Sequence, residues 1–283
     1  MKKIMIIVIG LAVTLGAFSQ ENTSEQITVP LSKSGERAWI EFDHMNGNIS
    51  VEAYSGKEII INVTSSGYTS DHHDCDGCYN KHKDKEKNKT KGVPPGMKRI
   101  DVSPLELKAS ESNNVVKISS ESWKRRMNIE IKTPSNTDLK LSNVHGAIEV
   151  KNLNGIMEIS GVNSSISLQN ISGSVLANTV NGDIEVTFKE IADDEPMSFV
   201  TLNGDLDVTI PSDTKATAKL RSDRGEIYTD FDMDMEGSKT DVKKENGEYE
   251  VSINSWVYGK INGGGSEFTF KNMMGSIIVR KGE

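Results

Sequence analysis

Cys75 and Cys78 form a Cys-x-x-Cys pair, and His72, His73 and His82 surround it within eleven residues, interleaved with Asp71, Asp74 and Asp76. Two thiolates and an imidazole at this spacing supply three or four corners of a tetrahedral zinc or copper site, since both donor types suit those metals. A structural zinc site draws on two separated ligand pairs, and this segment offers one. In an exported chain the same two thiols can instead close a local disulfide, the reading favoured over metal. Nothing nearby supplies the helix N-terminus that activates a redox pair. His72, His73, Cys75, Cys78 and His82 are therefore the candidate metal ligands, with a Cys75–Cys78 disulfide as the alternative.

Other stretches imitate sites without completing them. Asp230-Phe231-Asp232-Met233-Asp234-Met235-Glu236 spaces its acids like a calcium loop, but Met235 stands where such a loop needs glycine, so an exposed strand with one acidic face is expected. Gly263-Gly264-Gly265-Ser266 lacks the lysine of a phosphate loop and reads as a tight turn where backbones approach closely. Glu149, Glu158, Glu185 and Asp207 could stack in an outward row of the kind a carbohydrate-active β-helix uses, yet outward acids are also what any solvated strand carries. The lysine run from Lys81 to Lys91 reads as a solvated tether. No catalytic residues are assigned, and no cofactor is expected beyond the zinc or copper alternative.

The elements that must position these residues are repeats. A phrase of a small polar residue, glycine, a polar residue and then alternating apolar positions occurs at Asn46-Gly47, His145-Gly146, Asn154-Gly155, Asn181-Gly182, Asn203-Gly204 and Arg224-Gly225. Glycines 146, 155, 173 and 182 are multiples of nine apart, with Ser164 filling the missing slot, and the gaps to 204 and 225 are 22 and 21. Nine residues make one strand and one turn, so a full coil holds two strands and roughly 18 to 22 residues. One such unit cannot bury its apolar face alone and needs neighbours on both sides. Ile148, Val150, Ile159, Ile184, Val186, Phe188, Leu206, Val208 and Ile210 are expected to face inward, and stacked corner asparagines can form a hydrogen-bonded ladder. The expected fold is all-β, a β-solenoid or β-helix-like stack of two-strand coils. An antiparallel sandwich with Asn-Gly hairpins fits the same turns.

Met1-Lys2-Lys3, an apolar run from Ile4 to Phe18 and the small residues Ala17 and Ser19 have the layout of a secretory signal peptide over 1–20. Without Lys2 and Lys3 the formal charge moves from −8 to about −10, which disfavours nucleic acid as a partner. No second hydrophobic stretch follows, so no transmembrane segment is expected after cleavage. Residues 21–64 read as N-terminal strands that cap the stack, 65–98 as a long flexible insertion rich in Cys, His and Lys, and 99–283 as the repeat domain. The far cap is expected at Val279–Glu283.

From Pro134 onward the chain resembles the bacterial putative-adhesin family, exported β-helix-like repeat proteins of unknown function. The matching text includes Leu139-Lys140-Leu141-Ser142-Asn143-Val144-His145-Gly146-Ala147-Ile148-Glu149-Val150, Thr179-Val180-Asn181-Gly182-Asp183-Ile184-Glu185-Val186, Gly225-Glu226-Ile227-Tyr228-Thr229, Ile261-Asn262-Gly263-Gly264-Gly265 and Met274-Gly275-Ser276-Ile277-Ile278-Val279. The resemblance implies no catalytic residues. It implies an exported, non-enzymatic adhesin-like or scaffold module of the cell envelope, in the periplasm, on the outer surface or secreted. Its partner would be a surface polymer, a glycan or an envelope protein. The rivals are an envelope metal-binding or sensing protein using the Cys/His segment, and a carbohydrate-active β-helix enzyme.

Overall fold

The computed structural model describes residues 23–65, 107–120, 126–192, 194–236, 240–245, 248–253 and 256–282, all strand, turn or loop. In chain order the first strands are β1 (Thr23–Pro30), β2 (Ala38–Asn46), β3 (Ile49–Tyr54), β4 (Glu58–Ser65), β5 (Leu107–Ser112), β6 (Val115–Ser120) and β7 (Met127–Pro134). The middle of the chain gives β8 (Thr137–His145), β9 (Ile148–Lys151), β10 (Asn154–Asn163), β11 (Ile166–Asn181), β12 (Ile184–Ile191), β13 (Met197–Asn203) and β14 (Leu206–Pro211). There follow β15 (Ala216–Ser222), β16 (Ile227–Thr229), β17 (Met233–Glu236), β18 (Thr240–Glu245), β19 (Glu248–Ile253), β20 (Val257–Ile261), β21 (Ser266–Met274) and β22 (Ile277–Gly282).

The strands build two walls of parallel pairs, as the solenoid reading expects. The first wall runs β6, β2, β8, β10, the C-terminal part of β11, β13, β21, β15. The second runs β7, β3, β9, the N-terminal part of β11, β12, β14, β22, β16. One strand from each wall makes a rung. Between neighbouring rungs Gly155 pairs with Gly173, and Ile166 with Ile184, an offset of 18 residues; Ile184 pairs with Leu206, an offset of 22.

Alternating apolar residues point between the walls, and all nine residues expected inside are buried, Phe188 at 5 % exposure and the others at 0 %. Phe199 and Phe270 stack there with ring centroids 5.3 Å apart. The core is therefore one continuous aliphatic and aromatic column, the dominant stabilising term for a chain of this kind.

The rungs do not stack in chain order, and the expected caps are corrected. The stack is not consecutive in sequence: the rung next to β13–β14 is the C-terminal pair β21–β22, and β15–β16 lies beyond it. Likewise β2–β3 is an interior rung between β6–β7 and β8–β9. Val279 consequently sits inside the stack with no exposure rather than capping it. The edges are covered by antiparallel strands, β5 on β6, β4 and then β1 on β7, and β20 with β17 on β15. Antiparallel covers and the three-residue β16 leave little parallel edge open to another chain.

Each corner glycine lies directly over the corner of the next rung. A Cβ on Gly146 would press on the carbonyl oxygen of Gly47, one on Gly204 on that of Gly182, and one on Gly275 on that of Gly204, all closer than side-chain carbons approach. Gly182 and Gly204 also hold φ at +151° and +150°. The space is tight because the corner amides bond directly from rung to rung: Gly182 N–H donates to Asn203 O at 2.9 Å and Gly204 N–H to Met274 O at 2.9 Å.

Three residues before the corner, an inward polar side chain satisfies the carbonyl at the neighbouring corner. Asn143 Nδ2 donates to Gly47 O at 2.9 Å, Thr179 Oγ1 to Ser164 O at 2.8 Å, Thr201 Oγ1 to Gly182 O at 3.0 Å and Ser222 Oγ to Gly275 O at 3.0 Å. These bonds keep the buried corner carbonyls paired. On the β2 rung His44 does this work, its Nε2 donating to Met127 O at 2.9 Å.

Burial pushes the His44 imidazole below its ordinary 6.5, and the bond to Met127 O only partly opposes the shift. The unfolded chain then takes up this proton first as pH falls, so the stability His44 contributes is present above pH 6.5 and lost below it. His44→Asn, which copies the neighbouring Asn143, is expected to flatten the pH dependence of the melting temperature just below pH 6.5. Melts at a series of pH values on both proteins check this, and parallel curves would refute it.

Candidate functional site

The candidate metal ligands His72, His73, Cys75, Cys78 and His82, with the alternative Cys75–Cys78 disulfide, lie outside the described residues. Among the described residues no three His, Cys, Asp or Glu side chains come together to hold a metal. Both described histidines are engaged in the stack, His44 with Met127 O and His145 with Asn163. Also among the described residues, no helix is long and apolar enough to cross a membrane.

The outward acids do not form one row. Glu149, Glu185 and Asp207 lie on the second wall, with Ser167 between the first two, whereas Glu158 lies on the first wall beside Lys140. Three of them have basic partners: Arg280 grips Asp207 through two 2.8 Å bonds, Lys151 lies 3.4 Å from Glu149 and Lys140 lies 4.0 Å from Glu158. The pair with Asp207 raises the Arg280 guanidinium further above its ordinary value, by hydrogen bonding first and charge second. These pairs tie Glu149, Glu158 and Asp207 to neighbouring cations on the solvated faces of the two walls.

The acidic segment at 230–236 is a strand only in its second half, with 230–232 in bend and loop. Phe231 is buried, Met233–Glu236 is a strand, and Asp230 accepts the Lys281 backbone N–H at 2.8 Å. The triple glycine is a turn, with Gly263 and Gly264 at φ +88° and +87° and Gly265 packed on the Lys215 backbone. Beside it lies a shallow groove of about 690 Å³ lined from Lys189, Asp194, Pro211, Lys215, Gly264 and Phe268. Lys189 and Lys215 line it together with Glu190, Asp194 and Asp213, so both charges are mixed there.

The more ordered surface is the outer face of the first wall. The register places Met45, Val144, Val162, Val180, Leu202 and Met273 in one column over six successive rungs. Five of them are between 39 % and 49 % exposed, and Val144 is partly exposed. At an inter-strand spacing of about 4.8 Å the column spans roughly 24 Å.

Alongside it runs the expected corner ladder. Asn203 Nδ2 donates to Asn181 Oδ1 at 2.7 Å, Asn181 Nδ2 to Asn163 Oδ1 at 2.8 Å, and Asn163 Nδ2 meets His145 Nδ1 at 3.1 Å. Two positions on, Asp183 and Asp205 oxygens accept the backbone N–H of Asp205 and Ser276 at 2.9 and 2.7 Å, which stiffens the same edge. The apolar column escapes a reading of strand alternation, which assigns outward positions to polar residues. Its signal is the residue two places before each corner, apolar in Val180-Asn181-Gly182 and Leu202-Asn203-Gly204 alike.

Two solved structures resemble this trace. One, described as a "putative cell adhesion protein" from Clostridium sporogenes, is 12 % identical, with 93 % of this chain and all of that one covered at a TM-score of 0.46. The other, described as a "putative adhesin" from Bacteroides fragilis, is 11 % identical, with 92 % and 98 % covered at 0.34. No curated protein matches the chain. The family match runs from residue 3 to residue 256, well upstream of the Pro134 where the sequence resemblance begins and short of the inserted C-terminal rung. A match over that much of a chain whose rungs stack as parallel two-strand coils makes it a member of the Toastrack DUF4097 family.

Proposed function

We propose that this chain is a non-enzymatic, exported binding module of the cell envelope that engages its partner through the outer face of the first wall. The observation carrying this reading is the apolar column from Met45 to Met273 beside the asparagine ladder. The six side chains form one contiguous apolar patch rather than scattered exposed residues, and the largest such patch on a protein is often its interaction site. The leader-like residues 1–20 support export, and the ion pairs that engage Glu149 and Asp207 on the second wall support binding over catalysis.

The test is retention on isolated envelope fragments of the producing organism. The double variant Val162→Ser, Leu202→Ser, melting like the wild type, is expected to bind about tenfold more weakly, the loss of roughly 1.4 kcal/mol of apolar contact. Equal retention of both proteins, or release of soluble products from the fragments, would overturn the proposal.

A further inference from the structure

The columns that carry the stripe and the ladder hold no carboxylate or ammonium group between Met45 and Met273, on a molecule of formal charge −8. In the next outward column Asp43 and Lys271 stand only at the two ends, and Ser142, Ser160, Asn178 and Val200 fill the middle. Each ladder amide spends one N–H and one lone pair on its neighbours, so a second N–H and a second lone pair remain on Asn163 and Asn181. Apolar contact and amide hydrogen bonding are thus offered side by side, with amides at Asn46, Asn163, Asn181 and Asn203; the only acids at this edge, Asp183 and Asp205, lie beyond the ladder with an oxygen each on a backbone N–H.

From this juxtaposition we propose that the face binds an uncharged linear polysaccharide lying along the stack, its ring faces on the apolar column and its hydroxyls on the asparagine ladder. The proposal rests on the reading above that this face is the binding surface, and names its ligand class. A polyanion or an acidic lipid surface would need lysines and arginines here. An acyl chain would use the column and leave the amides idle.

An added peptide strand needs open backbone groups, which these interior strands have already paired. A second copy needs about 800 Å² per partner, and a stripe one side chain wide offers a few hundred. A chain of sugar rings is amphipathic along its whole length, with C–H faces and hydroxyl edges repeating at about the size of one rung.

The experiment compares the wild type with Val180→Lys and Val180→Glu, each confirmed to fold by its melt, on envelope fragments left untreated, oxidised with periodate or digested with protease. For an uncharged polysaccharide both variants bind about tenfold more weakly or worse. Periodate abolishes wild-type binding and protease leaves it intact. If the lysine and glutamate variants shift binding in opposite directions, the ligand is charged and the proposal fails. If protease abolishes binding and periodate does not, the ligand is a protein and the proposal fails while the face stands. If neither variant changes binding, the face itself is wrong and the underlying reading falls too.

Discussion

Gly204→Ala is expected to destabilise the protein by on the order of 4 kcal/mol, roughly a 10 °C loss in melting temperature. Two penalties combine. Gly204 holds φ at +150°, a region essentially closed to residues with a Cβ, and the added methyl would drive into the carbonyl of Gly182. Neither backbone can retreat, because Gly182 N–H is bonded to Asn203 O and Gly204 N–H to Met274 O, each at 2.9 Å.

Gly263→Ala supplies the control. Gly263 also has positive φ, at +88°, yet nothing lies within 4 Å of its would-be Cβ. That variant carries the conformational penalty alone, about 1–2 kcal/mol. Denaturant or thermal unfolding of the two variants separates the terms. Equal losses would refute the account in which rung-to-rung contact at the corner makes glycine obligatory.

Ending the chain at Gly265 is expected to abolish cooperative unfolding. The missing residues are an interior rung, not a tail: β21 pairs with β13 on one side and β15 on the other, and β22 with β14 and β16. Phe268, Phe270, Ile277 and Val279 would leave the core together. Truncating Phe270 to alanine alone costs about 3–5 kcal/mol, since it empties a site stacked against Phe199. If β15 slid across to β13, the alanines 216 and 218 would stand where Ser266 and Phe268 now lie, and the column would be underpacked. A truncated chain that melts cooperatively at the wild-type temperature would disprove the interleaved order.

Both predictions turn on features the sequence shows unequally. The Asn-Gly and Asp-Ile-Glu-Val phrases repeat because each rung must meet the same local demands: a corner without a Cβ, a buried face and a solvated one. Those demands are local, so Ile148, Ile184, Leu206 and their neighbours could be assigned to the interior without coordinates. The same logic places Ser164 at a corner lacking glycine, and there its buried hydroxyl donates to Asn143 O at 3.2 Å.

The outward stripe was less legible. Strand alternation says which side a residue faces and nothing about which residues stack beside it. Val144, Val162 and Val180 look like isolated exposed valines until register aligns them. The four outward acids illustrate the converse, since equal outward parity conceals that Glu158 belongs to the opposite wall.

From sequence alone came the all-β stack, its two-strand coils, its inward residues and its corner ladder, because hydrophobic alternation and glycine-requiring corners are written residue by residue. Only the tertiary structure decided the order of the rungs. Gly204 is stacked on Gly275, 71 positions away, rather than on Gly225 at 21. Any rung of this design offers the same glycine corner and the same parallel edges, so local patterning is degenerate over partners. Side-chain volume breaks the tie: Phe268 and Phe270 fill the space beside Met197 and Phe199 that Ala218 and Leu220 would leave partly empty.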